Sequence, residues 1–141
     1  MFELHPLLES DTLPLGTLPL CRVLLMNDAQ YPWLILVPQR TDVTEIFQLK
    51  GKDRQQLELE SSALAELMMT HFQGDKFNIG TLGNIVSQLH VHHIVRFKND
   101  AAWPQPVWGA MPRKPYAQDL LDQTQKTFSD LLTNIAGFKK W

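Results

Sequence analysis

The 141 residues include one cysteine, Cys21, so the chain can neither close an internal disulfide nor build a zinc cage from thiolates. No glutamate follows Glu66, which removes the carboxylate that commonly accompanies paired histidines in β-barrel metal enzymes. Positive charge is not in excess. The 13 Lys and Arg stand against 15 Asp and Glu, a formal charge of −2 with a pI near 6.2. That balance provides no basic field for gripping a nucleic-acid backbone. No apolar run approaches the roughly 18 residues of a membrane-spanning helix. The N-terminus also lacks the basic, apolar and small-residue succession of a secretory leader. These absences predict a cytoplasmic protein without a membrane or nucleic-acid polymer partner. The length suits a single domain over residues 1–141, large enough to bury a core unaided.

Histidine is scarce too, five residues in all, yet three of them fall within four positions, His90, His92 and His93. The surrounding pattern gives them a setting. Residues 1–18 are broken by Pro6, Pro14 and Gly16 and read as an irregular lead-in, with one or two helical turns in LHPLLES. CRVLLM and WLILVP are apolar runs separated by the turn residues NDAQYP, which predicts a hairpin. A short helix is expected over 42–48. Asp53 and Gln56 have capping-box spacing, and Leu57, Leu64, Leu67, Met68 and Phe72 then recur at helical intervals up to Gly74, predicting a main helix over about 53–73. KFNIGTLGN and SQLHVHHIVRF predict two further antiparallel strands. The Pro- and Trp-rich segment 99–115 reads as an ordered loop folded back onto its own core. Leu120, Leu121, Thr124, Phe128, Leu131, Leu132 and Ile135 trace a second helix that closes at Gly137. Two strands, a helix, two strands and a helix make an α+β domain, with about five antiparallel strands and the helices over one face.

On a continuous strand, Gln88, His90 and His92 share one face, while Leu89, Val91 and His93 share the other. Three readings of that row stand. A solvated or core histidine pair needs no chemistry. A metal site wants a third or fourth ligand, which the remaining His5 and His71 do not obviously supply. Covalent catalysis needs a neutral imidazole whose second nitrogen is held by an acceptor, with a neighbouring ring beside the same phosphate. His93, on the opposite face, reads as structural.

The stretch GNIVSQLHVHHIVR resembles the signature of the histidine triad (HIT) superfamily, with Gln88 in the place of the first histidine, His90 in the second and His92 in the third. WLILVPQR and KFNIG extend the likeness across roughly residues 20–97, the core of the domain, with 98–141 forming the C-terminal loop and helix. The resemblance implies a nucleotide hydrolase or nucleotidyl transferase acting at the α-phosphate. His90 would be the nucleophile of a covalent nucleotidyl-histidine, His92 would hydrogen-bond the phosphate or the departing group, and Gln88 would support their geometry without titrating. It further implies phosphate contacts from Gly83 and Asn84, ribose contacts from Asn27 and Asp28, and a base walled by Leu25 and Val37. No cofactor and no tightly bound metal are implied, and homodimers are common. The sequence departs from the family pattern at Trp33 and Thr41, where histidines are frequent, and at Ile85, where a hydroxyl is frequent. A nucleotide-binding module with weak or lost catalysis is therefore the alternative.

Overall fold

The computed structural model describes residues 1–141. Its strands are β1 (Thr12–Thr17), β2 (Cys21–Met26), β3 (Trp33–Pro38), β4 (Lys76–Gly80), β5 (Val91–Arg96) and β6 (Lys139–Lys140). Its helices are α1 (Pro6–Asp11), α2 (Gly51–Phe72) and α3 (Gln118–Leu132). The strands form one antiparallel sheet in the order β4-β5-β3-β2-β1-β6. The expected hairpin is β2–β3, and the expected second pair is β4–β5. The α+β architecture is therefore as the pattern predicts, with six strands rather than about five.

The lead-in is more regular than expected. β1 forms despite Pro14 and Gly16 because the ladder slips between those two residues, where a bulge absorbs the misfit. Only Gly16 and Thr17 meet β6, so Pro14 lies where no partner wants its missing N–H. α2 starts at Gly51 with Lys50 as its N-cap, and Asp53 is not the cap. The Asp53 carboxylate instead takes the Arg40 guanidinium through two bonds of 2.7 and 3.1 Å. A capping box does occur earlier, between Glu45 and Gln48, around a single 3₁₀ turn over Ile46–Gln48 in place of the short helix expected at 42–48. The second helix ends at Leu132, short of Gly137.

The sheet is covered on both sides. On the helix side, Val23, Leu25, Leu34, Leu36, Val91 and Val95 pack with Leu57, Leu64 and Met68 of α2 and Leu121, Phe128 and Leu132 of α3. Both helices supply residues at intervals of seven and four, a single buried stripe. Two buried polar groups of α2 are satisfied there. Glu60 accepts from the N–H groups of Leu20 and Cys21 at 2.8 and 3.0 Å, and Ser61 meets His93 Nε2 at 2.7 Å. His93 is wholly buried, and its Nδ1–H donates to the Val91 carbonyl at 3.0 Å, so Nε2 accepts the Ser61 hydroxyl proton. The structural reading of His93 holds.

On the other side, Leu24, Tyr31, Trp33, Ile35, Val37 and Ile94 are covered by Leu8 of α1 and by Ala102 and Val107 of the loop after β5. That loop folds back as expected. Arg96, at the end of β5, fastens it. Its guanidinium pairs with Asp100 at 2.8 and 3.0 Å, reaches Asn78 and the Gln105 carbonyl, and lies over the Tyr31 and Trp103 rings. The pair is almost fully buried, with side chains 2% and 4% exposed. Removing one partner of such a pair leaves an uncompensated charge. Arg96→Met is expected to lower the unfolding free energy by about 3–5 kcal/mol in urea titrations. Lys126→Met, which breaks an exposed pair with Asp130 on α3, is expected to change it by less than about 0.5 kcal/mol.

Candidate active site

β5 is paired along both edges only as far as its first residues permit. Gly80, the last residue of β4, pairs with His92, and Leu36 of β3 pairs with Val91. Toward the N-terminus no β4 partner remains, and β3 is running into Pro38, which has no N–H to give. The chain therefore leaves the sheet, and Gln88–His90 is not strand. His90 and His92 still point to the same side, but Gln88 is not the third member of a row. Its side chain is tied to the N-terminal segment, accepting from the His5 N–H at 2.9 Å and donating to the Glu3 carbonyl at 2.8 Å.

Gln88 acts on the neighbouring histidine through its backbone. His90 Nδ1 lies 2.7 Å from the Gln88 carbonyl oxygen. A carbonyl only accepts, so Nδ1 carries the proton and Nε2 keeps its lone pair. No protein group bonds that Nε2. The His92 ring lies 5.0 Å from His90, and its own Nδ1 accepts from the indole N–H of Trp33 at 2.9 Å. Burial first, then the charges of His90 and His93, hold the His92 pKa down to about 3. Burial likewise takes His93 down to about 4 against the opposing bond to the Val91 carbonyl.

Both His90 and His92 open onto a cavity of about 420 Å³. Asp28, Gly83 and Asn84, for which the resemblance implies ribose and phosphate contacts, line the same cavity. Gly83 has φ +78°, a backbone state only glycine adopts freely, so the turn before the histidines depends on it. Asp28 accepts from the Gln30 backbone and side chain at 3.0 and 3.1 Å. Asn27 is not brought in; its Oδ1 accepts from the Tyr116 N–H at 2.9 Å and anchors the chain ahead of α3. Leu25 is excluded by strand alternation, because it faces the helices, and Val37 lies in the second core without reaching the cavity. Met26 and Ile35 form that wall instead, joined by Leu7 and Leu8 of α1. The sequence reading missed Trp108, Met111 and Arg113, which close the far side. Only the density of tryptophan in the loop hinted at them. Thr41 lies apart, on a surface depression with Arg40, Lys50 and Asp53.

A larger groove of about 800 Å³ runs between α2 and residues 134–137. Its one buried acid, Glu60, is already occupied by Leu20, Cys21 and Gln56, so it lacks converging free polar groups. No group of three or more His, Cys, Asp or Glu side chains is arranged to hold a metal ion. No helix is long and apolar enough to cross a membrane.

The two depressed histidines make stability acid-sensitive in a definite direction. Unfolded, each binds a proton as the pH falls through about 6.5; folded, they do so only near 4 and 3. Their contribution is therefore complete above about pH 6.5 and is lost progressively as the pH falls toward 3–4, at about 1.4 kcal/mol per pH unit for each histidine. Urea unfolding between pH 8 and 4.5 should be flat at first and then decline. Constant stability across that range contradicts the burial of two neutral imidazoles.

Among curated proteins the chain has no match. Solved structures do match it. A histidine triad protein from Marinobacter aquaeolei VT8 superposes with TM-score 0.93 at 49% identity, covering 96% of this chain and 99% of its own. One from Sinorhizobium meliloti 1021 gives 0.88 at 43%, covering 96% and 98%, and one from Bradyrhizobium japonicum gives 0.87 at 42%, covering 94% and 96%. The HIT domain family model matches residues 8–99, which hold His90, His92 and five of the sheet's six strands in full. Family model and superposition agree, and the chain belongs to the HIT family.

Proposed function

We propose that this protein is a nucleotide hydrolase or nucleotidyl transferase that attacks an α-phosphate through His90. The observation that carries this reading is the 2.7 Å contact between His90 Nδ1 and the Gln88 carbonyl, which presents Nε2 as a free nucleophile beside a cavity. As Nε2 bonds to phosphorus, the imidazole gains positive charge, and the same carbonyl stabilises it. The Nε2–H of His92 is placed to meet charge developing on the phosphoryl oxygens. Gly83 and Asn84 border the phosphate end, Asp28 offers carboxylate oxygens to a ribose diol, and Leu7, Leu8, Met26 and Ile35 offer an apolar wall to a base. The substrate is thus a small nucleotide rather than a polymer, no cofactor is called for, and a homodimer is the assembly this reading expects.

A binding module with weak turnover is the second reading, favoured by one observation: the Gln88 side chain is committed to Glu3 and His5 rather than to the site. Rapid quenching at alkaline pH, where the P–N bond survives, and mass spectrometry with a dinucleoside polyphosphate distinguish the two. The wild type is expected to carry a nucleotidyl adduct on His90, and His90→Ala to lose turnover by roughly 10⁴-fold or more while still binding nucleotide. Tight binding with neither adduct nor turnover in the wild type establishes the module instead.

A further inference from the structure

Trp33 occupies a place where the resemblance leads one to expect histidine, and it does something a histidine need not. Its side chain is buried, 4% exposed, at the start of β3. An indole nitrogen can only donate. At 2.9 Å from His92 Nδ1, it obliges that nitrogen to accept, so the single proton of His92 must sit on Nε2. Protonating Nδ1 as well would set two N–H groups against each other. The ring is held from other directions too, by the faces and edges of Trp33 at 5.5 Å, Trp108 at 5.3 Å and His90 at 5.0 Å.

The other ionisable groups around His92 do not relieve this. On its own strand, His93 points to the opposite face and is bonded to Ser61. Across the cavity, Asp28 is engaged by Gln30, and Arg113 pairs with Asp11 at 3.1 Å. His90 has its Nδ1 proton committed to the Gln88 carbonyl and its Nε2 committed to attack. None of these side chains offers the cavity a free proton donor, and a neutral His92 that surrendered its Nε2 proton would become an imidazolate.

We propose that Trp33 is a positioning residue that locks His92 as a neutral Nε2–H donor, and that this lock selects substrates whose leaving group departs as an anion. Phosphoanhydrides meet that requirement; phosphoramidates, whose amine must gain a proton to leave, do not. The inference rests on His90 being the nucleophile. In the first step the His90 Nε2 lone pair forms the N–P bond, and the bridging P–O bond breaks with both electrons going to the departing phosphate oxygen. That group leaves as a phosphate anion and needs no proton, while His92 gives a hydrogen bond without giving up its hydrogen. Water then attacks phosphorus, the N–P electrons return to His90 Nε2, and the surplus water proton passes to solvent. An amine leaving group would need general-acid help, a contribution of about 10²–10⁴ in rate that this site withholds.

The test has two arms. Imidazole ¹⁵N NMR of the intact protein is expected to show His92 with a bare Nδ1 and a protonated Nε2, unchanged from pH 8 to pH 5. In Trp33→Phe, where the smaller ring removes the opposing N–H and opens Nδ1 to water, lifting part of the burial that holds the ring neutral, both tautomers and a titration within that range are expected. A wild-type His92 that carries its proton on Nδ1, or titrates near pH 6.5, overturns the lock without recourse to any variant. In the second arm, kcat/KM is measured for a diadenosine polyphosphate and for an adenosine phosphoramidate. The wild type is expected to favour the anhydride by about 10² or more, and Trp33→Phe to narrow that ratio by at least about tenfold through a phosphoramidate rate that rises toward acid pH. Comparable wild-type turnover of both substrates overturns the selectivity. No turnover of either, beside the expected His92 resonances, overturns the nucleophile reading and the selectivity while the lock stands.

Discussion

Pairing of β5 with a strand on each side fixes where its polar side chains go. Strand alternation sends His92 to one face and His93 to the other, and the two rings meet quite different surroundings within one residue of each other. His93 enters the helix-side core, where Ser61 and the Val91 carbonyl use both of its nitrogens. His92 enters the second side, where Trp33 uses one nitrogen and the cavity borders the ring. A one-residue slip of this strand would exchange the two environments, leaving a buried nitrogen without its partner on one side and no donor at the cavity on the other. The flanking apolar residues Val91, Ile94 and Val95 oppose that slip.

The same double pairing explains why the catalytic candidate is not itself in the strand. Where β4 ends and β3 reaches Pro38, the backbone turns away, and the freed carbonyl of Gln88 becomes available to a side chain instead of a ladder. The contact itself does not need an irregular backbone, since His93 makes the same bond to the Val91 carbonyl inside β5. What the end of the ladder leaves to His90 is an Nε2 that no protein group bonds, whereas Ser61 takes up the Nε2 of His93.

Much of this was legible in the sequence. The hairpin, the long helix, the β4–β5 pair and the shared orientation of His90 and His92 follow from periodicity and from the likeness of residues 20–97 to a known pattern. What stayed hidden depends on distant partners. β1 looks broken because Pro14 and Gly16 are judged without their neighbours, whereas the bulge and the short β6 make them tolerable. Asp53 looks like a helix cap because its spacing suits one, and Arg40, 13 residues earlier, claims it. The Trp33–His92 bond joins residues 59 apart, and periodicity carries no information on such a meeting. Asn27 and Gln88 were misjudged for a related reason: each amide is drawn off by a backbone group more than 80 residues away.

Those last contacts bear on how the molecule has to be handled. Glu3 and His5 hold Gln88, while Leu7 and Leu8, a few residues on, form part of the cavity wall. The opening segment is therefore masonry rather than fringe. A protease that trims it back past Asp11 would strip cover from Trp33 and Ile35 and loosen the bend that carries His90. An assay of such a preparation would report on a breached chamber rather than on the protein's own pocket.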